Sequence, residues 1–113
     1  GNPDLDEVIR RLQAFEKAGA DVLFAPGLPD IAAVRAVCQS VAKPVNFMVA
    51  IPGRSFSVAE LSAAGVKRIS LATTLYRSAI TGFLAAIGEV RDRGTFGYIE
   101  ESVPGSALAA YLG

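Results

Sequence analysis

Leu5, Val8, Ile9, Leu12, Phe15 and Ala18 recur three and four positions apart and predict a helix with one apolar face. Asp4 or Asp6 can cap it, and Glu7 in its first turn meets the positive end of the helix dipole. Asp6 with Arg10 and Glu7 with Arg11 are spaced as i,i+4 pairs. Gly19 ends the helix with a left-handed cap. The pattern then changes. Val22-Leu23-Phe24-Ala25 is an unbroken apolar run, which predicts a strand covered on both faces. Pro26-Gly27-Leu28-Pro29 is a stiff turn at its carboxyl end. Asp30 caps a second helix whose face is Ile31, Val34, Val37, Cys38 and Val41.

The alternation repeats twice. Residues 43–50 predict a second strand, opened by Pro44 where a missing N–H is harmless. Residues 51–56 form its carboxyl-end loop. Ser57 and Glu60 are spaced as a capping box for a short helix over 58–64, stopped by Gly65. A third strand is predicted over 67–73. The longest helix, 75–93, carries Leu75, Ile80, Phe83, Leu84, Ile87 and Val90, and Gly94 ends it. Residues 95–99 are expected to be irregular or briefly extended, and 106–112 to form a last short helix.

The strands open at Asp21, Pro44 and Lys67, an even spacing that marks the βα grammar of a parallel sheet or barrel. A lone sheet of three apolar parallel strands leaves open edges and uncovered faces, and the first helix has no strand before it. Eight such units come to about 250 residues, the size of a (β/α)8 barrel. The fold expected is therefore α/β: the last three strands and four helices of a (β/α)8 TIM barrel, as a fragment. Residues 1–94 are assigned to the barrel and 95–113 to a tail. Gly1-Asn2-Pro3 reads as a frayed start or cloning remnant.

The 113 residues are 51% hydrophobic, with mean hydropathy +0.39. That apolar excess points to surface meant for another part of the molecule or another subunit. Eleven basic and eleven acidic residues cancel, so neither a nucleic-acid footprint nor a basic membrane patch is expected. No apolar run approaches the roughly 20 residues needed to span a bilayer, and no signal-peptide pattern opens the chain. The single cysteine, Cys38, allows no internal disulfide and fits a reducing, cytoplasmic setting. Its place on an apolar helix face reads as a buried small hydrophobe rather than a nucleophile. With no histidine, Ser-His, Cys-His and histidine–metal sites are absent from this stretch.

The ordered set Ala18-Gly19-Ala20-Asp21 with the apolar strand to Phe24, Leu28-Pro29-Asp30-Ile31, Lys43-Pro44-Val45-Asn46, Ser57-Val58-Ala59-Glu60-Leu61, Ala63-Ala64-Gly65-Val66-Lys67-Arg68-Ile69-Ser70 and Leu75-Tyr76-Arg77-Ser78-Ala79 resembles the carboxyl-terminal part of the isocitrate lyase/phosphoenolpyruvate mutase superfamily. The resemblance covers residues 4–94. It implies a (β/α)8 barrel that binds Mg2+ and a small 2-oxo or 2-hydroxy carboxylate substrate. Such enzymes make or break a C–C or P–C bond through an enolate, whose oxyanion the metal and positive groups stabilise. The family's metal carboxylates, fifth-strand arginine and gating loop lie on earlier strands, so no catalytic residue and no Mg2+ ligand is carried over. At the end of the family's sixth strand, where a Glu or His is frequent, this chain has Pro26. At the end of the seventh, where the lyases have Asn, it has Met48. Both changes are from polar to apolar and point away from isocitrate or methylisocitrate cleavage. The resemblance also implies a homo-oligomer in which carboxyl-terminal helices are exchanged, with 79–112 as the contact region.

Ligands of a barrel sit at the carboxyl ends of its strands. Pro26, Met48 and Thr73 are accordingly the candidate substrate-binding residues; the plain alternative is a turn proline, a core methionine and a helix cap. Asn46 is left between a site role and a local backbone partner. Arg54 is a loop arginine able to meet a carboxylate or simply to face water. Glu100 and Glu101, adjacent in sequence, read as surface charge rather than an acid/base pair. Two other functions fit the residues. One is a phosphate-binding barrel with Thr73 and Thr74 at the last helix's amino end. The other is a non-catalytic βα half-barrel or flavodoxin-like assembly module.

Overall fold

The computed structural model describes residues 4–112, and the reading of Gly1-Asn2-Pro3 lies outside them. The elements run α1 (Leu5–Lys17), β1 (Leu23–Phe24), α2 (Ile31–Ser40), β2 (Val45–Met48), α3 (Val58–Ala64), β3 (Arg68–Ser70), α4 (Thr74–Arg93), α5 (Tyr98–Glu101) and α6 (Gly105–Leu112). The chain divides into two compact units, Gly1–Thr74 and Leu75–Gly113.

In the first unit the three strands form one parallel sheet in the order β1-β2-β3. Leu23 pairs with Val45, Phe24 with Asn46, Asn46 with Arg68, and Met48 with Ser70. One face of this sheet is dry. Leu23, Val45 and Phe47 join Leu12, Val34, Val37 and Leu61 in the core, and Ile69 packs against it. Leu61, Val34 and Val37 are fully buried, so α2 presses its predicted apolar face into this core and α3 adds Leu61 to it. Phe47 also meets Phe56 with ring centroids 5.7 Å apart and planes tilted by 51°.

The helix ends are built largely as their residues require. Asp4 Oδ1 accepts from the N–H groups of Asp6 and Glu7, and Asp30 Oδ1 from that of Ala33 at 2.8 Å. Ser57 and Glu60 complete both halves of the capping box, and the paired hydroxyl and N–H hold the Glu60 carboxyl below its usual range. Gly65, at φ 104°, is the left-handed stop of α3. A link across the chain was not visible in any local pattern: Glu16 Oε1 accepts from the N–H groups of Ala42 and Lys43, tying α1 to the turn before β2.

Several expectations are corrected. β1 is shorter than 22–25 and is covered on one face only: Leu23 and Ala25 are buried, whereas Val22 and Phe24 are 46% and 44% exposed. Side chains alternate along a strand, and within this unit the helices pack on the face that Leu23 and Ala25 share. Phe15 is likewise 55% exposed, off the core-facing stripe of α1. Glu7, not Asp6, is the partner of Arg10, because it also pairs with Arg11 and draws both guanidinium groups to one carboxylate.

In the second unit 95–97 are irregular, as expected, and the departure begins at Tyr98. Tyr98 and Ile99 open the single turn α5 instead of running extended. The local β preference loses to hydrogen bonding: the Glu89 carboxylate accepts from Thr95 Oγ1 at 2.7 Å, Gly97 N–H at 2.6 Å and Tyr98 N–H at 3.1 Å. The turn's open amino end is thereby satisfied. Thr95 first, then Gly97, holds the Glu89 carboxyl below its ordinary range, and Arg93 adds to this. Among the described residues of α4 and α5 none is buried. The apolar stripe of α4 includes Phe83 at 59% exposure and Leu84 at 61%.

Candidate functional site

Parallel strands deliver their carboxyl ends to one edge of the sheet, and here that edge carries three loops. After β1, Pro26 and Gly27 make an exposed turn in which Gly27 takes φ 81°. After β2 the chain turns at Gly53, φ 73°, closed by Arg54 N–H on Ile51 C=O at 3.1 Å and by Ser55 Oγ on the same oxygen at 3.0 Å. Arg54 Nη1 reaches Gly27 C=O at 3.4 Å, so its exposed side chain bridges the first two loops. After β3, Ala72 adopts φ 47°, a left-handed conformation unusual for a residue with a Cβ. Thr74 Oγ1 donates to Leu71 C=O at 2.7 Å, and Thr73, just before α4, is exposed.

The structure therefore brings Pro26, Met48 and Thr73 to the carboxyl-end side of the sheet in different settings. Pro26 and Thr73 are loop residues open to solvent, and Met48 is a half-buried strand residue. The better-ordered chemistry lies beside Met48. Asn46, Met48, Arg68 and Ser70 alternate with Val45, Phe47 and Ile69, and so occupy the sheet face turned away from the helices. Asn46 is only 4% exposed. Arg68 Nη1 donates to Asn46 Oδ1 at 2.8 Å, and Asn46 Nδ2 donates to Ser70 Oγ at 3.0 Å. Asn46 thus spends its amide on two side chains of the neighbouring strand rather than on local backbone. Arg68 and Ser70 escaped the sequence reading because their partner is in another strand. The one available signal was two polar residues spaced by two in an apolar strand.

Cys38 lies apart from this face. Burial pushes its thiol up, against a smaller opposing effect of Lys67, as suits a packing residue. Glu100 and Glu101 are both exposed on α5. Among the described residues no three His, Cys, Asp or Glu side chains stand close enough together to hold a metal ion. Among them, too, no helix is long and apolar enough to cross a membrane. Each unit carries a shallow hollow of its own. One, near 480 Å3, runs from Phe15 to Phe24 at the start of β1, and one of 680 Å3 is lined by second-unit residues around Glu89.

A parallel βα sheet with a helix-packed face and a polar network on the other belongs to the α/β class whose ligands meet the strands' carboxyl ends. Comparison with known proteins narrows this. The family model for phosphoenolpyruvate phosphomutase matches residues 1–91, and the chain belongs to that family, within the phosphoenolpyruvate mutase/isocitrate lyase superfamily. A solved structure from Burkholderia cenocepacia J2315 described as a lyase/mutase is 43% identical, with TM-score 0.89, over 99% of this chain and 40% of its own. Another from the same organism, described as a phosphonomutase, is 36% identical with TM-score 0.68, over 75% of this chain and 33% of its own. A 2,3-dimethylmalate lyase is 26% identical with TM-score 0.74, over 94% and 38%. The chain thus spans about two fifths of the length of these structures or less. Among curated proteins, no sequence matches it.

Proposed function

We propose that this chain is the carboxyl-terminal portion, three strands and the helices around them, of a (β/α)8 barrel lyase or mutase. The whole barrel acts on a small 2-oxo or 2-hydroxy carboxylate and makes or breaks a C–C or P–C bond through an enolate. The observation that carries the reading is the 43% identity to a lyase/mutase along 99% of the chain. The uncovered sheet face with Val22 and Phe24 supports it, since a barrel interior needs that face free for the remaining strands.

Pro26, Met48 and Thr73 are assigned to the substrate pocket at the carboxyl ends of the strands. Mg2+ is assigned to the complete barrel, held by residues outside this stretch; when bound it stabilises charge on the enolate oxygen. This chain's own part is to shape one wall and to place hydrogen-bond donors on it. The apolar α4 face and residues 79–112 are assigned to contact between copies of the protein, in keeping with the exposed Phe83, Leu84 and Ile87. The compartment proposed is the cytoplasm, and neither nucleic acid nor membrane is a proposed partner.

The test is solvent exchange. The full-length protein is incubated with a panel of small 2-oxo acids and Mg2+ in deuterated water, and exchange at the carbon beside the carbonyl is followed by NMR. Exchange that stops with a chelator and returns with Mg2+ is expected. No exchange and no bond cleavage with any acid of the panel would remove the reading and leave the assembly module in its place.

A further inference from the structure

We propose that Ser70 is a substrate-binding residue, that its hydroxyl proton is aimed at a carboxylate oxygen of the small oxo acid, and that Asn46 and Arg68 are positioning residues that aim it. This deepens the reading above and rests on it.

The argument is one of hydrogen-bond direction. A guanidinium has donors and no acceptor. The Asn46 atom 2.8 Å from Arg68 Nη1 is therefore the amide oxygen, which fixes the amide's orientation. The nitrogen then faces Ser70 Oγ at 3.0 Å, and because that nitrogen only donates, the Ser70 oxygen accepts. The hydroxyl proton is left over. Among the described residues it donates to none.

The chain of polarity, from the Arg68 cation through the Asn46 amide to the Ser70 hydroxyl, strengthens each bond along it and makes Ser70 a better donor. Ser70 ends β3, pairs with Met48 at the end of β2, and lies on the face turned from the helices. Its main chain is pinned, with Ser70 C=O accepting from Val49 N–H at 2.9 Å. A half-buried donor at a parallel sheet's carboxyl edge, held from behind by an amide that a cation polarises, suits an anionic oxygen and not a cation. Asn46 also explains itself on this basis. A buried amide in the middle strand is costly unless both of its ends are used, and both are.

The test uses the full-length protein, with oxalate as a small dicarboxylate probe in titration calorimetry and turnover where an active oxo acid has been found. Ser70→Ala is expected to weaken oxalate about tenfold, the loss of one hydrogen bond to a charged group. Ser70→Thr keeps the hydroxyl and is expected to restore binding. Asn46→Asp keeps the shape and the Arg68 contact but presents an acceptor to Ser70, which turns its proton back. It is expected to match Ser70→Ala in binding, with no further loss in the double variant and no lower thermal midpoint. Where turnover is measured, KM rises more than kcat falls. Wild-type affinity in Ser70→Ala overturns the proposal while the lyase reading stands. So does a loss in Ser70→Ala that Ser70→Thr leaves unrepaired. A wild-type protein that binds neither oxalate nor any oxo acid overturns the lyase reading, and this proposal with it.

Discussion

Arg68 and Asn46 face each other in the parallel register of β2 and β3, and a guanidinium nitrogen of the first donates to the amide oxygen of the second at 2.8 Å. Asn46 is the dry partner and Arg68 the wet one. Removing the donor leaves an acceptor in a residue only 4% exposed. Arg68→Met is expected to cost about 1–3 kcal/mol, the penalty for an unsatisfied buried group. Urea unfolding of the full-length protein measures it. A loss below about 0.5 kcal/mol would mean that water replaces the guanidinium without difficulty.

Gly65 sits at φ 104°, and a Cβ built on it meets the Cys38 Cβ at 3.0 Å. Gly65→Ala therefore carries both backbone strain and a collision between α3's end and α2. A destabilisation of about 2 kcal/mol is expected from the two together. Cys38→Ala is expected not to rescue it, because the atom in the way is the Cβ that alanine keeps. Rescue by that second change, seen in the same thermal melts, would show the sulfur to be the obstacle.

Ala72 is the described non-glycine residue with positive φ, in the loop that follows Ser70. Ala72→Gly removes the side-chain penalty but adds freedom to the unfolded chain, so a gain of about 0.5 kcal/mol is expected. Ala72→Val is expected to cost more than about 1 kcal/mol, since branching at Cβ worsens the left-handed conformation. Denaturant midpoints for the pair order the two effects. A valine variant as stable as the parent would show that the loop relaxes to a different turn.

The Glu89 carboxyl titrates below its ordinary range because Thr95 and the N–H groups of Gly97 and Tyr98 bind its charged form. Its folded pKa is depressed relative to the unfolded chain. The stabilisation is therefore fully present above the unfolded carboxyl's pKa and is lost as pH falls through the folded one. Amide exchange at Gly97 and Tyr98, read by NMR from neutral to acid pH, is expected to lose protection over that window. Glu89→Gln is expected to abolish the pH dependence, since it no longer titrates.

Cys38 is expected to react slowly with alkylating reagents at neutral pH, because burial raises its pKa and keeps it protonated. Its rate, followed by intact mass, is expected to lag behind that of a free thiol and to climb with pH. Reaction at the free-thiol rate at neutral pH would show that α2 opens readily from the core.

What the chain's own pattern determined was local. Helical spacing located α1, α2 and α4, the Ser57–Glu60 capping box and Gly65 located α3, and Gly19 and Asp30 marked the end of α1 and the start of α2, because caps and periodicity act within a turn or two of the residue that supplies them. The apolar runs placed all three strands near the right residues, and the strand–helix alternation implied a parallel sheet. Tertiary structure alone decided which face of each strand is dry. Val22 and Phe24 look as apolar as Leu23, yet only Leu23 and Ala25 meet the helices, since a strand's two sides are told apart by what packs on them. The same holds for Asn46: its two partners lie a strand away, and only the register that sets Asn46 beside Arg68 brings the cation, the amide and the Ser70 hydroxyl into one line. The helical α5 was likewise decided from outside its own residues, by a carboxylate on α4 that occupies the N–H groups at its start.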